Sequence, residues 1–203
     1  NVEITTTSSG GPDMAQLFTP TADSATVKAS TITTTLGNGN DVIITTNDSS
    51  GTTQKGNITI SSDISSTATT DRTIRFVAAN DILVNADISS SAKKLNLKFE
   101  AEGDVIIGDS SNSTITTKGG SVTVSGSNNQ GDILPPATLG AEAGSFTIKS
   151  GSSINTTGAA GVAGGAVTIE TAAQNADGVA ATDADIDIYG SITTTGGVGS
   201  SSA

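Results

Sequence analysis

The chain has no cysteine, no histidine and no tryptophan, and aromatic residues make up only 2% of its 203 positions. Each absence removes a class of chemistry. Without cysteine or histidine there is no Cys-type structural zinc site, no histidine metal triad and no serine–histidine–aspartate relay. No disulfide can staple the fold, so stability has to come from backbone pairing and a core. With so few large side chains a broad globular core is hard to fill, and a core one or two side chains wide suits the inventory better. No apolar run approaches the ~18 residues that a membrane-spanning helix needs. Residues 1–6 read as a strand and not as a leader peptide, as expected for a mature form or an excised fragment.

Basic residues are also scarce. Nine Lys and Arg stand against 20 Asp and Glu, for a net charge of −11. Nucleic acid is therefore not an expected partner, because phosphate neutralisation needs clustered Lys and Arg. There is no polybasic run for an anionic membrane, and membrane insertion is not expected. The charge acts mainly on solubility.

What remains is Ser, Thr, Gly, Ile and Val. β-branched residues fit a pleated, half-buried surface and are poor helix formers, so almost no helix is expected. Short alternating strands recur: Asn57-Ile58-Thr59-Ile60, Asp81-Ile82-Leu83-Val84, Asp104-Val105-Ile106-Ile107, Ser121-Val122-Thr123-Val124, Ser145-Phe146-Thr147-Ile148, Ala166-Val167-Thr168-Ile169 and Asp185-Ile186-Asp187-Ile188. Period-2 alternation marks a strand with one face buried, and Gly, Asn or Asp just before it supplies turn chemistry.

The spacing says more. Ile58, Ile82 and Val105 are 24 and 23 residues apart; Val122, Phe146, Val167 and Ile186 follow at 24, 21 and 19. A second set, Ile74/Phe76 and Leu95/Leu97/Phe99, lies between, and further Ile residues follow at Ile64, Ile88 and Ile192. Each turn thus offers two or three short strands. A recurring period of roughly 20–24 residues is the mark of a solenoid, in which one turn buries its apolar residues only by stacking on the next. The expected fold is all-β, a right-handed parallel β-helix (β-solenoid), of about nine turns and about 40 Å at the usual strand spacing. The competing architecture is an antiparallel sandwich, which also uses closely spaced strands but needs hairpin signals that are scarce here. The chain reads as one solenoid segment, 1–203: an irregular start at 1–24, repeat turns over 25–192, and excursions near 130–144, around Pro135-Pro136, and near 158–184, which is Gly/Ala/Asp-rich.

No catalytic set is expected, and no cofactor or metal. Carboxylate pairs such as Asp185 with Asp187, or Glu102 with Asp104, could serve a carbohydrate-active β-helix enzyme. The sugar platforms that such sites add are missing: there are two Arg, Arg72 and Arg75, one Tyr and no Trp. The run Leu36-Gly37-Asn38-Gly39-Asn40-Asp41-Val42-Ile43 resembles one unit of a calcium-binding nonapeptide, but calcium needs stacked copies, so a Gly/Asn turn entering a strand is expected. Thr runs at Thr5-Thr6-Thr7, Thr33-Thr34-Thr35, Thr116-Thr117 and Thr193-Thr194-Thr195 are too scattered for the strict array of an ice-binding face, and fit β propensity and stacking between turns. Four Asn-X-Ser/Thr sequons make Asn47, Asn57, Asn112 and Asn155 candidate glycosylation positions where the Asn is exposed and the host suitable.

Three segments carry a resemblance. They are the run from Ile32 through Asp41-Val42-Ile43-Ile44 to Thr46, then Gly56-Asn57-Ile58-Thr59-Ile60-Ser61-Ser62-Asp63-Ile64, then Phe76-Val77-Ala78-Ala79-Asn80-Asp81-Ile82-Leu83-Val84-Asn85-Ala86-Asp87-Ile88. Their order resembles the repeats of filamentous-haemagglutinin-like exoproteins, which include the high-molecular-weight adhesins of Gram-negative bacteria, over roughly Ala25 to Ile192. The resemblance implies a right-handed parallel β-helix fibre, secreted through an outer-membrane transporter partner by two-partner secretion and held at or near the bacterial cell surface. It implies adhesive regions that bind a host-cell surface glycan or protein, or extracellular matrix, and some members carry glycans at Asn sequons. No ligand-binding residue carries over. The expected function is that of a non-enzymatic adhesin segment, with a structural spacer presenting a distal binding domain as the alternative. Adhesive residues would lie on the rod and its loops, near 130–144 and 158–185, because irregular loops on a rigid scaffold concentrate binding. Aromatic and Arg side chains, which binding hot spots favour, are few, and that supports the spacer.

Overall fold

A computed structural model describes residues 1–6, 17–20, 24–46, 56–126, 144–171 and 184–198. The chain begins with β1 (Val2–Thr5), β2 (Leu17–Phe18) and β3 (Ala25–Lys28), followed by α1 (Ala29–Gly37) and β4 (Val42–Thr45). From there three strands recur in each turn. These are β5 (Ile58–Ile60), β6 (Ile64–Ser66) and β7 (Arg72–Ala78); β8 (Ile82–Val84), β9 (Ile88–Ser90) and β10 (Leu95–Ala101); then β11 (Val105–Ile107), β12 (Thr114–Thr116) and β13 (Val122–Ser125). They continue as β14 (Phe146–Ile148), β15 (Ser153–Asn155) and β16 (Val167–Ile169), and end with β17 (Ile186–Ile188) and β18 (Ser191–Thr193).

The strands stack into three parallel sheets, the three faces of a β-solenoid. The first face runs β3-β1-β5-β8-β11-β14-β17, the second β6-β9-β12-β15-β18, and the third β2-β4-β7-β10-β13-β16. Like pairs with like: Ile58, Ile82, Val105, Phe146 and Ile186 form one inward column of the first face. Ile44, Phe76, Phe99 and Val124 form a column of the third, in which the rings of Phe76 and Phe99 stack with centroids 5.4 Å apart and planes 6° apart. These columns make the thin core that the composition implies.

The register differs from the spacing series in the second half. Val122 and Val167 belong to the third face, whereas Phe146 and Ile186 belong to the first. The run 122, 146, 167, 186 therefore alternates between two faces. A turn there takes about 40 residues, as from Phe146 to Ile186, because long connections lie between the strands. Among the described residues the stack is seven strands deep at most, about 29 Å at ~4.8 Å per strand and not about 40 Å.

The one helix among the described residues was not expected over the Thr33-Thr34-Thr35 run. Ala29, Ile32 and Leu36 recur at helical spacing and are buried with Thr35, while Ser30 and Thr34 face outward. That amphipathic stripe overrides the poor helix propensity of Thr. Asn38 N–H donates to Thr34 O, and Gly39, at φ +86°, lets the chain turn out of the helix. α1 packs on β6, the terminal strand of the second face. β1 lies inside the first face, between β3 and β5, so Val2 and Ile4 are as buried as the repeats that follow.

Short side chains tie the corners. Where the chain enters the first face, each side chain accepts the backbone N–H of the next turn: Asn1 Oδ1 from Asn57 (3.0 Å), Asn57 Oδ1 from Asp81 (3.4 Å), Asp81 Oδ1 from Asp104 (3.0 Å), Asp104 Oδ1 from Ser145 (2.8 Å) and Ser145 Oγ from Asp185 (3.2 Å). The corner into the second face repeats the device through Asp63 and Asp87, and the corner into the third through Asp41, Asp71 and Asn96. These are donors the strand ladders do not reach, and a buried N–H without a partner is costly. Replacing Asp81 with Ala should lower stability by about 1–2 kcal/mol, whereas Asp81→Asn, which keeps an acceptor oxygen, should lose less than half of that. Urea denaturation of the two variants reads the difference, and equal losses would mean that the ladder bond is not what Asp81 contributes.

Candidate functional site

Outward positions of the rod are the surface on which any activity must act. The first face shows Thr26, Glu3, Thr59, Leu83, Ile106, Thr147 and Asp187 in one column. The second is hydroxyl-rich: Ser65, Ser89, Thr116, Asn155 and Thr193 align, with the hydroxyls of Ser65 and Ser89 3.3 Å apart. The third carries charge. Arg75 and Lys98 are neighbours across β7 and β10, and Arg75 grips Glu100 through Nε–Oε1 (2.8 Å) and Nη2–Oε2 (2.6 Å). Glu100 is the register partner of Val77, which faces outward by alternation yet is only 1% exposed. Arg72 Nη1 donates to Gly39 O (2.5 Å), lies 3.9 Å from Asp41, and so ties the turn after α1 to β7.

The positions singled out from the sequence fall as follows. Asp187 points outward on β17, and Asp185 ends the corner ladder with its N–H on Ser145 Oγ. Asp104 is occupied with Ser145 N–H, and Glu102 stands beside it at the same corner. Among the described residues no three carboxylates gather into a group that could hold a metal ion. The Gly/Asn run 36–43 ends α1, turns at Gly39 and enters β4, while Asp41 accepts Thr73 N–H (2.8 Å). Thr116 and Thr193 sit on the second face; Thr117 is buried with its hydroxyl on Gly120 O (2.6 Å). Thr7 and Asn47 lie outside the described residues.

Three sequons can be placed. Asn57 is held in the ladder, accepting from Asn80 Nδ2 (2.8 Å) and donating to Asp81 Oδ2 (3.4 Å). Asn155 is half-buried on the second face and accepts Thr157 N–H (2.9 Å). Asn112 is exposed at a corner, but its sequon continues into Ser113, whose buried hydroxyl donates to Ala86 O (2.7 Å).

The chain matches no family model, no curated protein and no solved structure. Its own topology is then the main guide. Of the internal segments outside the described residues, 21–23, 47–55, 127–143 and 172–183 follow a third-face strand and precede a first-face strand, whereas 7–16 follows β1 of the first face and precedes β2 of the third. Where the passage from the third face to the first is described it is short: Ala79-Asn80-Asp81 between β7 and β8, and Glu102-Gly103-Asp104 between β10 and β11. The Gly158–Gly165 stretch, expected to leave the rod, stays on it: Gly158 N–H donates to Thr195 O (3.0 Å), Gly165 N–H to Thr156 O (2.9 Å) and Gly197 N–H to Val162 O (2.9 Å).

Proposed function

We propose that this chain is a segment of a secreted bacterial surface adhesin, a non-enzymatic rod that attaches the cell to host glycan, protein or matrix. The observation that carries the reading is the parallel β-solenoid of three stacked sheets, together with the resemblance of residues 32–88 to adhesin repeats. A stacked ladder gives a stiff scaffold, and irregular connections on a stiff scaffold are where recognition concentrates. A second reading, a spacer that holds a distal binding domain away from the cell, is favoured by the burial of Phe76, Phe99 and Phe146, which leaves the described faces almost without aromatic anchors.

One experiment separates the two. The purified chain, shown by circular dichroism to be folded, is titrated onto cultured epithelial cells. The adhesin reading expects saturable attachment that falls when residues 130–143 or 172–183 are replaced by short linkers. A folded chain that does not attach would make this segment a spacer. Turnover of a polysaccharide that stops on Asp185→Asn would overturn both.

A further inference from the structure

Six of the nine basic residues, Arg72, Arg75, Lys93, Lys94, Lys98 and Lys118, lie on the third face or on the corner leading into it. Lys28 ends β3 on the first face, Lys149 follows β14, and Lys55 lies outside the described residues. Parallel stacking brings the six together: Lys98 sits beside Arg75, Arg72 N–H bonds to Lys94 O (2.9 Å), and Leu95 N–H bonds to Thr117 O (3.0 Å), setting Lys118 one turn beyond Lys94. Glu102 and Glu170 follow β10 and β16 where the chain leaves this face, and three carboxylates, each engaged, lie nearer the six. Glu100 is held by Arg75, Asp41 accepts Thr73 N–H close to Arg72, and Asp71 accepts Lys94 N–H. Among the described residues there are no other ion pairs, so the ammonium groups of Lys93, Lys94, Lys98 and Lys118 have no carboxylate within ion-pair distance. The other two faces and the corners leading into them are mostly acidic: Glu3, Asp81, Asp104, Asp185 and Asp187 on the first against Lys28 at the end of β3, and Asp63, Asp87 and Asp109 on the second against Lys149. A chain of net charge −11 therefore presents one cationic strip.

We propose that the third face binds an acidic polysaccharide, its carboxylate or sulfate groups lying across β7, β10 and the turn before β13. Lysine ammoniums are mobile point charges, suited to anionic groups spaced along a flexible polymer. Between them the face shows Thr73, Asn96, Ser121 and Thr123, short donors and acceptors of the kind that meet sugar hydroxyls. Single-stranded nucleic acid is the weaker match, because base stacking needs exposed aromatic rings and Phe76 and Phe99 point into the core. As an account of attachment this rests on the adhesin reading; as a binding activity it does not.

The test uses the full chain, with hyaluronan and dextran sulfate as probes, neutral dextran as a blank and a single-stranded oligonucleotide as the competing polyanion. Lys94→Glu/Lys98→Glu is compared with Lys28→Glu/Lys149→Glu, which changes net charge equally but off the face. The expected result is saturable binding to at least one acidic polymer. The on-face pair should weaken it about tenfold or more at ~50 mM salt and the off-face pair about twofold or less, with affinity falling by ~200 mM salt. No binding to either polymer, equal losses from both pairs, or equal affinity for the oligonucleotide would overturn the proposal. Cell attachment that survives Lys94→Glu/Lys98→Glu would leave the adhesin reading standing without this site. Polymer binding without cell attachment would sink the adhesin reading and keep the site.

Discussion

Phe99→Ala should cost about 3–5 kcal/mol, with the unfolding midpoint in urea falling accordingly. Phe99 is fully buried in the middle of the rod, stacked on Phe76 and followed in its column by Val124. Truncation removes the ring's transfer free energy and its contact with Phe76, and it leaves a cavity. The cavity cannot close by sliding, because β10 is held in register on both sides, to β7 over seven residue pairs and to β13 over four. A shift of one residue would turn Leu97 and Phe99 outward. Phe99→Leu keeps most of the volume and should lose about 1–2 kcal/mol. In a stack where each turn contacts only its neighbours, the middle turn couples the two ends. If Phe99→Ala costs no more than Phe99→Leu, the core is plastic enough to refill the space, and a thin ladder-locked core is the wrong description.

The strands were legible because each carries its own signal. Ile82-Leu83-Val84 or Val122-Thr123-Val124 reads as a strand from three residues and the Asp or Ser before it, and β8 and β13 form there. Register was legible only where connections are short. From Ile58 to Val105 one period of 23–24 residues holds, and those residues pair directly. Past Val124 the segments 127–143 and 172–183 lengthen the turn to about twice that, so strands of two faces fall at a spacing that imitates a single series. Nothing local marks which face a three-residue strand joins. α1 was missed for a different reason: its signal is the spacing of Ala29, Ile32 and Leu36, set within a Thr-rich run that points to strand.

The surface was less legible than the core. Lys94 just before β10 and Lys98 on it, Arg72 and Arg75 on β7, and Lys118 one turn on are scattered in the chain among 20 acidic residues. A linear charge count sees no basic run. The solenoid converts a separation of one turn into a distance of ~4.8 Å, so residues 23 apart, such as Arg75 and Lys98, become neighbours. Charge pattern in such a fold has to be read modulo the turn, and that requires the register first. The same conversion explains the corner ladders. Asn57, Asp81 and Asp104 look like local turn residues, and their acceptor oxygens are instead spent on the next turn.

The two ends of the rod predict unequal tolerance. Ile148 on β14 is fully buried between Ile107 and Ile188, whereas Ile188 on β17, the terminal strand of its face, is 48% exposed. At the other end Ala25 and Val27, on the outermost strand β3, are buried. Ile148→Asp places a carboxylate with no partner in the core and should cost more than about 4 kcal/mol, enough to unfold at least the turns from β14 onward. Ile188→Asp leaves the carboxylate in reach of water and should cost about 1 kcal/mol or less. Hydrogen exchange and urea titration of the two variants separate the cases, with protection of β14, β15 and β17 lost in the first and kept in the second. Comparable losses from the two substitutions would mean that Ile188 is covered in solution, and that the last turn is a packed plane of the stack and not its open edge.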